Sequence, residues 1–472
     1  MGSEIQKDTF TEGDFSLFRS RLEQETERLA QWFDAQRFSR RSYTAGFELE
    51  AWLIGNDAMP RAMNETFLKT LGNGLVVPEL AQFNVELNGS PTSLQGRAFS
   101  RLADELDHTW RECVSCAESL DAHLLMIGIL PTITPELLHR GNMSHLSRYA
   151  ALNEQVLALR DGAPFELHVE GRETLHRTHP DVMLEAAATS FQIHLQVRQT
   201  NAVRLFNAAQ IVSAPMVAIS ANSPFLFGHD LWDETRIPVF EQAVAIGEGP
   251  RQRVTFGQGY VRESLFELFA ENLADYPVLI PGLDAHGPGS LPHLRFHNGT
   301  IWRWNRPLIG FDHDGAPHLR IEHRVVPAGP TIVDAIANAA FFYGLVSALA
   351  VRETPLESQL DFAAARANFY AAAKSGLDAE LQWPGADGTV LAQTLIVEEL
   401  LPLARRGLAW LGIPDAEADE YLGIIEARAR SGQNGATWQR RWVERHGRDF
   451  SGLTLACLEQ QTSGAPVHGW TL

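Results

Sequence analysis

Tyr43-Thr44-Ala45-Gly46-Phe47-Glu48-Leu49-Glu50-Ala51-Trp52-Leu53-Ile54 is the stretch on which the fold turns. Phe47, Leu49 and Ala51 alternate with Glu48 and Glu50, the period of a strand with one apolar and one polar face. Three other segments repeat the pattern. In Gln82–Asn88, Phe83, Val85 and Leu87 oppose Asn84, Glu86 and Asn88. In Phe191–Arg198, Phe191, Ile193, Leu195 and Val197 oppose Gln192, His194, Gln196 and Arg198. In His318–Val325, Leu319, Ile321 and Val325 oppose His318, Arg320, Glu322 and Arg324. Thr300–Arg306 is an aromatic version, with Trp302, Trp304 and Arg306 expected on one face. A mixed sheet with one wet face would show such alternation in any single strand. Taken together, the polar positions hold glutamate, histidine and arginine with no lysine, whereas a solvent face mixes lysine, serine and threonine.

If Glu48, Glu50, Glu86 and Glu322 converge on one concave face, they cannot all stay ionised unless protons or cations join them. Carboxylates with a single imidazole suit Mg²⁺ or Mn²⁺ better than zinc. Arg324 and Arg306 nearby make sense if a polyanion such as a nucleotide triphosphate lies between them and the metals. The residues alone thus point to metal–phosphate chemistry on an antiparallel sheet and leave the reaction open.

Around these strands the periodicity predicts helices over Phe15–Phe38, Ala98–Leu124, Arg148–Leu159, Asn201–Ile219, Pro330–Val351, Leu360–Ser375, Leu391–Leu411 and Ala416–Arg430. The chain beyond Arg352 reads as a helical section, residues 353–472, packed on the same body as one 1–472 catalytic domain. The 58 acidic against 39 basic residues give a formal net charge of −19, which argues against a nucleic-acid partner. Ile332–Val351 is apolar but interrupted by Asp334, Asn338 and Gly344, so it reads as a buried helix and no membrane partner is expected. The polar Met1–Phe10 stretch is unlike a secretory signal, and three cysteines suit a reducing cytoplasm. Cys113 and Cys116 have CxxC spacing but sit in a predicted helix with no second pair to complete a zinc site. His293, His297, His313, His318 and His323 crowd together without a helical ligand spacing, and are expected in core or solvent roles.

Five of these motifs, in order, carry a resemblance. Gly46-Phe47-Glu48-Leu49-Glu50 is similar to the Gly-x-Glu-x-Glu strand of the second group of the glutamate–cysteine ligase family. Phe83-Asn84-Val85-Glu86-Leu87-Asn88 resembles its next acidic strand, and Phe191-Gln192-Ile193-His194 its histidine strand. Ala218-Ile219-Ser220-Ala221-Asn222-Ser223-Pro224-Phe225 resembles its turn after a helix. Arg320-Ile321-Glu322-His323-Arg324 resembles its Glu-x-Arg strand. Two positions depart from the family pattern: Gln192 stands where relatives often have histidine, and Asn88-Gly89-Ser90-Pro91 lacks a threonine common there.

The resemblance implies an α+β, glutamine-synthetase-like fold, an antiparallel, partly closed sheet with helices on its outer face. It implies a carboxylate–amine ligase that uses ATP and Mg²⁺ (or Mn²⁺) through an acyl phosphate, with small-molecule acid and amine substrates and a possible homodimer. By position, Glu50 and Glu86 would bind the metal near the acid, while Glu48, His194 and Glu322 would bind the metal bridging the ATP phosphates. Arg324 and Glu322 would act in catalysis, with Arg324, Arg306 and His194 on the nucleotide. Asn222 reads as a substrate-side group or a turn residue; Arg148 and Tyr149 read as substrate contacts or as surface and packing residues. A phosphotransferase acting on a guanidino nitrogen and a non-catalytic nucleotide- or amino-acid-binding protein are the alternative readings.

Overall fold

A computed structural model describes residues 5, 9–41, 43–246, 252–282 and 288–472; most of Met1–Phe10 lies outside the described residues. The alternating segments form one curled antiparallel sheet of eight strands: β1 (Thr44–Ile54), β2 (Val76–Pro78), β3 (Asn84–Asn88), β4 (Thr92–Ser93), β5 (His123–Leu125), β6 (Phe191–Val197), β7 (Asn305–Phe311) and β8 (Pro317–His323). The strand order is β7-β8-β6-β1-β3-β2, with β4 and β5 pairing on the two ends of β1. Register follows the alternation. Glu50 lies opposite Glu86, Glu48 opposite Gln192, and Glu322 opposite both His194 and Arg306. A one-residue slip would send every one of these groups into the core, so the apolar face fixes the polar one.

That apolar face is fully packed: Phe47, Leu49, Val85, Leu87, Ile193, Leu195, Leu319 and Ile321 are all buried. Behind it run two apolar helices, α1 (Ala202–Ser220) and α2 (Ile332–Ala350). By length and composition both could cross a membrane, yet 89% of each apolar window is buried inside the protein. Tyr343 of α2 donates its hydroxyl to the His194 carbonyl at 2.8 Å, and Phe342 stacks on His323 at 4.2 Å. The helix is thereby fastened directly beneath the strands that carry His194 and Glu322. Helix α3 (Leu401–Trp410) lies against α2 at a close crossing, where a Cβ on Gly407 would sit 1.8 Å from the Gly344 carbonyl oxygen. Only glycine permits that approach.

Several expectations shift. Thr300–Arg306 is not one strand. Trp302–Arg303 pairs in parallel with Val254–Thr255, and the sheet strand begins at Asn305 and runs on to Phe311. The backbone changes partner here: Trp302 N donates to Arg253 O at 2.6 Å and Trp304 N to Thr255 O at 3.0 Å. Trp304 consequently turns away to Phe240 and Glu241, while Trp302 and Arg306 line the cleft. Leu391–Leu411 is broken into Ala392–Leu395, a π-turn at Ile396–Leu400 and α3. Pro402 cannot donate to the carbonyl four residues back, which loosens the ladder there. The predicted helix Ala98–Leu124 ends at Ser119 and its tail becomes β5. The helical C-terminal section also contains a hairpin, Glu380–Gln382 with Thr389–Leu391. It joins the rest through a buried ion pair, Arg428 to Asp334 at 2.6 Å, and a partly buried one, Arg440 to Asp230 at 2.7 Å. Cys113 and Cys116 are buried and unlinked; burial pushes the Cys113 thiol up to about 12, so neither a redox nor a metal role is supported.

Candidate active site

The polar face gathers two separate triads of ligand atoms, each within 4.8 Å of one another: Glu48, His194 and Glu322, and Glu50, Glu79 and Glu86. In the first, His194 Nε2 lies 3.6 Å from Glu48 Oε1 and 3.7 Å from Glu322 Oε1. Those spacings are too long for hydrogen bonds, and among the described residues His194 Nε2 and Glu48 Oε2 are buried without a hydrogen-bond partner. Burial pushes the imidazole down to about 4 against the pull of Glu48, so it stands neutral near pH 7 with a lone pair to offer. Burial would raise the Glu322 carboxyl, but Arg306, Arg324 and His194 outweigh it and hold the group far below the carboxylate range. Arg306 grips it with both fork nitrogens, Nε at 2.7 Å and Nη2 at 3.0 Å, and Arg324 Nη1 adds a third bond at 3.0 Å. Burial likewise opposes ionisation of Glu48, yet its carboxyl lies below its usual value, drawn down by His194 in the acid range where that imidazole carries its proton.

The second triad contains only acids. Burial, with Glu48 beside it, raises Glu86 to about 7. Burial and the neighbouring Glu86 and Glu50 raise Glu79 well above the ordinary range. Glu50 is also raised by burial, although Arg324 and Ser190 counter it. It accepts from Ser190 N at 2.7 Å, Ser190 Oγ at 3.0 Å and Gln192 Nε2 at 3.0 Å. Glu79 was missed by the sequence reading. It follows the three-residue strand β2, too short to show alternation. Had β2 been recognised, its register (Val77 opposite Glu86) would have put Glu79 on the acidic face. Carboxylate oxygens, joined in the first triad by one neutral imidazole nitrogen, are donors that fit a cation such as Mg²⁺ or Mn²⁺ in both places.

Two connected spaces open over the triads. An outer cleft of about 1590 Å³, including its solvent-open mouth, is lined by Glu48, Glu322 and the guanidinium groups of Arg306, Arg320, Arg295 and Arg148. A smaller inner pocket, with room of about 40 Å³, is lined by Glu50, Asn84, Ser190, Arg236 and Arg324. Glu79, Leu80, Glu185 and Trp302 face both. Among the described residues, Arg320 Nε, Arg324 Nε and Asn84 Nδ2 are buried donors with no hydrogen-bond partner. Arg148 and Tyr149 line the outer cleft, with the Arg148 guanidinium 4.8 Å from the Tyr149 ring and donating to its hydroxyl at 3.0 Å. Asn222 lines neither space. Its Nδ2 donates to Ala328 O at 2.8 Å and its Oδ1 accepts from Gln439 Nε2 at 2.9 Å, so it holds the turn before Pro224. Three of the crowded histidines have structural partners: His293 bonds Glu25, His297 the Asn272 carbonyl, and His323 the Asn305 side chain.

The sequence profile of Glutamate-cysteine ligase family 2 matches residues 30–455. The chain belongs to this family. As a glutamate–cysteine ligase family 2 member it is a carbon–nitrogen ligase of the carboxylate–amine type. Among solved structures, the glutamate–cysteine ligase of Francisella tularensis in complex with AMP is similar in fold, with a TM-score of 0.55 at 12% identity over 90% of each chain. A bifunctional glutathione synthetase from Pasteurella multocida aligns over 93% of this chain and 55% of its own, at 10% identity and a TM-score of 0.47. No curated protein matches the chain in sequence.

Proposed function

We propose that this ligase phosphorylates a carboxylate with ATP to make an acyl phosphate and passes the acyl group to an amine. The observation that supports this most is the pair of carboxylate-rich triads side by side on one sheet face, with Arg306, Arg320 and Arg324 lining the spaces over them. A carboxylate is a poor acyl donor because oxide leaves badly; phosphorylation supplies phosphate as the leaving group. Mg²⁺ or Mn²⁺ held by the triads would neutralise phosphate and carboxylate oxygens and so lower the repulsion between them.

Glu48, His194 and Glu322 would hold the cation on the β- and γ-phosphate side, and Glu50, Glu79 and Glu86 the one beside the acid. Arg306 and Arg324 fix the Glu322 carboxylate and keep it ionised. The unsatisfied Nε groups of Arg324 and Arg320 are suited to phosphoryl oxygens, which carry the spreading charge during transfer. Asn84 Nδ2 would bind the acid beside the inner triad, and Arg148 with Tyr149 would meet a substrate at the mouth of the outer cleft. Glutamate and cysteine are the first substrates to try, since the family carries their names. A cytoplasmic location, where ATP and Mg²⁺ are supplied, accords with this chemistry.

The test is ADP release from the purified protein with Mg²⁺, ATP and glutamate, with and without a panel of amines headed by cysteine, using Glu322→Gln as the blank. Release that needs one particular amine and vanishes in the variant supports ligation. Absence of ATP binding would contradict it.

A further inference from the structure

Glu185 sits in the 3-10 turn Val182–Ala187, which Asp181 caps by accepting from Met183 N at 3.0 Å. It faces both the outer cleft and the inner pocket. Its Oε2 is buried and takes no hydrogen bond among the described residues, whereas the other acids at the junction each belong to a triad. We infer that Glu185 is the base that takes the proton from the attacking amine, an assignment that rests on the carboxylate-activation reading above.

The surroundings suit that task. Glu50, Glu79 and Arg324 line the inner pocket together with Glu185. Helix Arg236–Ala243, packed against the turn, brings Arg236 and Glu241; Ser147–Leu159 brings Arg148. Arg236 is spent on Glu234 at 3.0 Å and on backbone carbonyls, and Glu241 accepts from Trp304 Nε1 and the Tyr370 hydroxyl, each at 2.8 Å. Burial, with Glu50 adding and Arg324 opposing, leaves the Glu185 carboxyl at about 7, close to the pH at which a base must both accept and return a proton.

The amine arrives as an ammonium ion and loses two protons on the way to an amide. Glu185 takes the first, which exposes the lone pair. The nitrogen–carbon bond then forms, the carbon–oxygen bond to the phosphoryl group breaks with its electron pair on phosphate, and phosphate carries off the second proton. Glu185 returns its proton to water in the outer cleft.

Hydroxylamine separates the two halves of this scheme because it is already unprotonated at neutral pH. With ATP, Mg²⁺ and glutamate, Glu185→Gln should form hydroxamate at the wild-type rate. With cysteine, or whichever amine of the panel supports ADP release, its amide formation should fall at least about 100-fold and recover towards pH 9. Retention of both activities would overturn the assignment. Equal loss of both would place Glu185 in activation and overturn it as well. If the wild-type protein itself forms no hydroxamate, the activation reading fails and takes this inference with it.

Discussion

The two triads lie on one sheet face, yet they are built on opposite electrostatic plans. Around Glu322 the protein supplies its own counter-charge: three guanidinium bonds fix the carboxylate in its ionised form before any ligand arrives. Around Glu86 burial wins: Arg324 and Arg236 act on Glu50 and Arg148 on Glu79, yet Glu79, Glu86 and Glu50 are all pushed towards the protonated state. The outer triad is therefore pre-organised at the protein's own cost, whereas the inner one must be completed by a cation or by protons. Gln192 links them. Its Nε2 donates to Glu50 and its Oε1 accepts from Arg324, an orientation forced because a carboxylate can only accept and a guanidinium can only donate.

The largest effect should come from the outer triad. Glu322→Gln removes the ion that pairs with Arg306 and Arg324, so ADP release should fall on the order of 100- to 1000-fold. It should also destabilise the fold by about 3–5 kcal/mol in denaturant titration, the cost of stranding buried charge. Glu79→Gln should do the reverse to stability. Without metal it relieves like-charge repulsion and raises the denaturation midpoint at pH 8, while the Mg²⁺ concentration needed for ADP release climbs at least about tenfold. Equal signs on stability for the two variants would erase the contrast.

A third test isolates the titration. Between about pH 4.5 and 7 native Glu86 keeps a proton that the unfolded chain has released, so unfolding releases a proton and stability falls as pH rises. His194, pushed down to about 4, slopes the other way below about 6.5, but it is common to wild type and to Glu86→Gln and cancels in their difference. In metal-free buffer the wild type should lose stability relative to Glu86→Gln across that window. The smallest expected effect is at the link: Gln192→Met should slow ADP release roughly tenfold, the usual scale for leaving buried polar groups unsatisfied, with little change in the Mg²⁺ requirement.

What could be read in advance follows the same division. Glu48, Glu50, Glu86, His194 and Glu322 lie on strands of at least five residues whose apolar partners announce the polar face, and all of them do share it. Glu79 and Glu185 sit on a loop edge and a 3-10 turn, where no periodicity marks orientation. Arg236 opens a short helix that reaches the site only through the tertiary fold. Asn222 drew notice as part of a family-like turn, but its hydrogen bonds show that the turn itself needs it. At Thr300–Arg306 alternation misled because the chain leaves one partner strand for another within five residues, a change that local pattern does not encode.

The most direct measurement of the central claim is a count of Mn²⁺ bound per chain, by electron paramagnetic resonance, with a non-hydrolysable ATP analogue and glutamate present. The account predicts at least two ions in the wild type, with Glu79→Gln and His194→Ala each losing one. A single ion in the wild type, or an unchanged count in both variants, would contradict it.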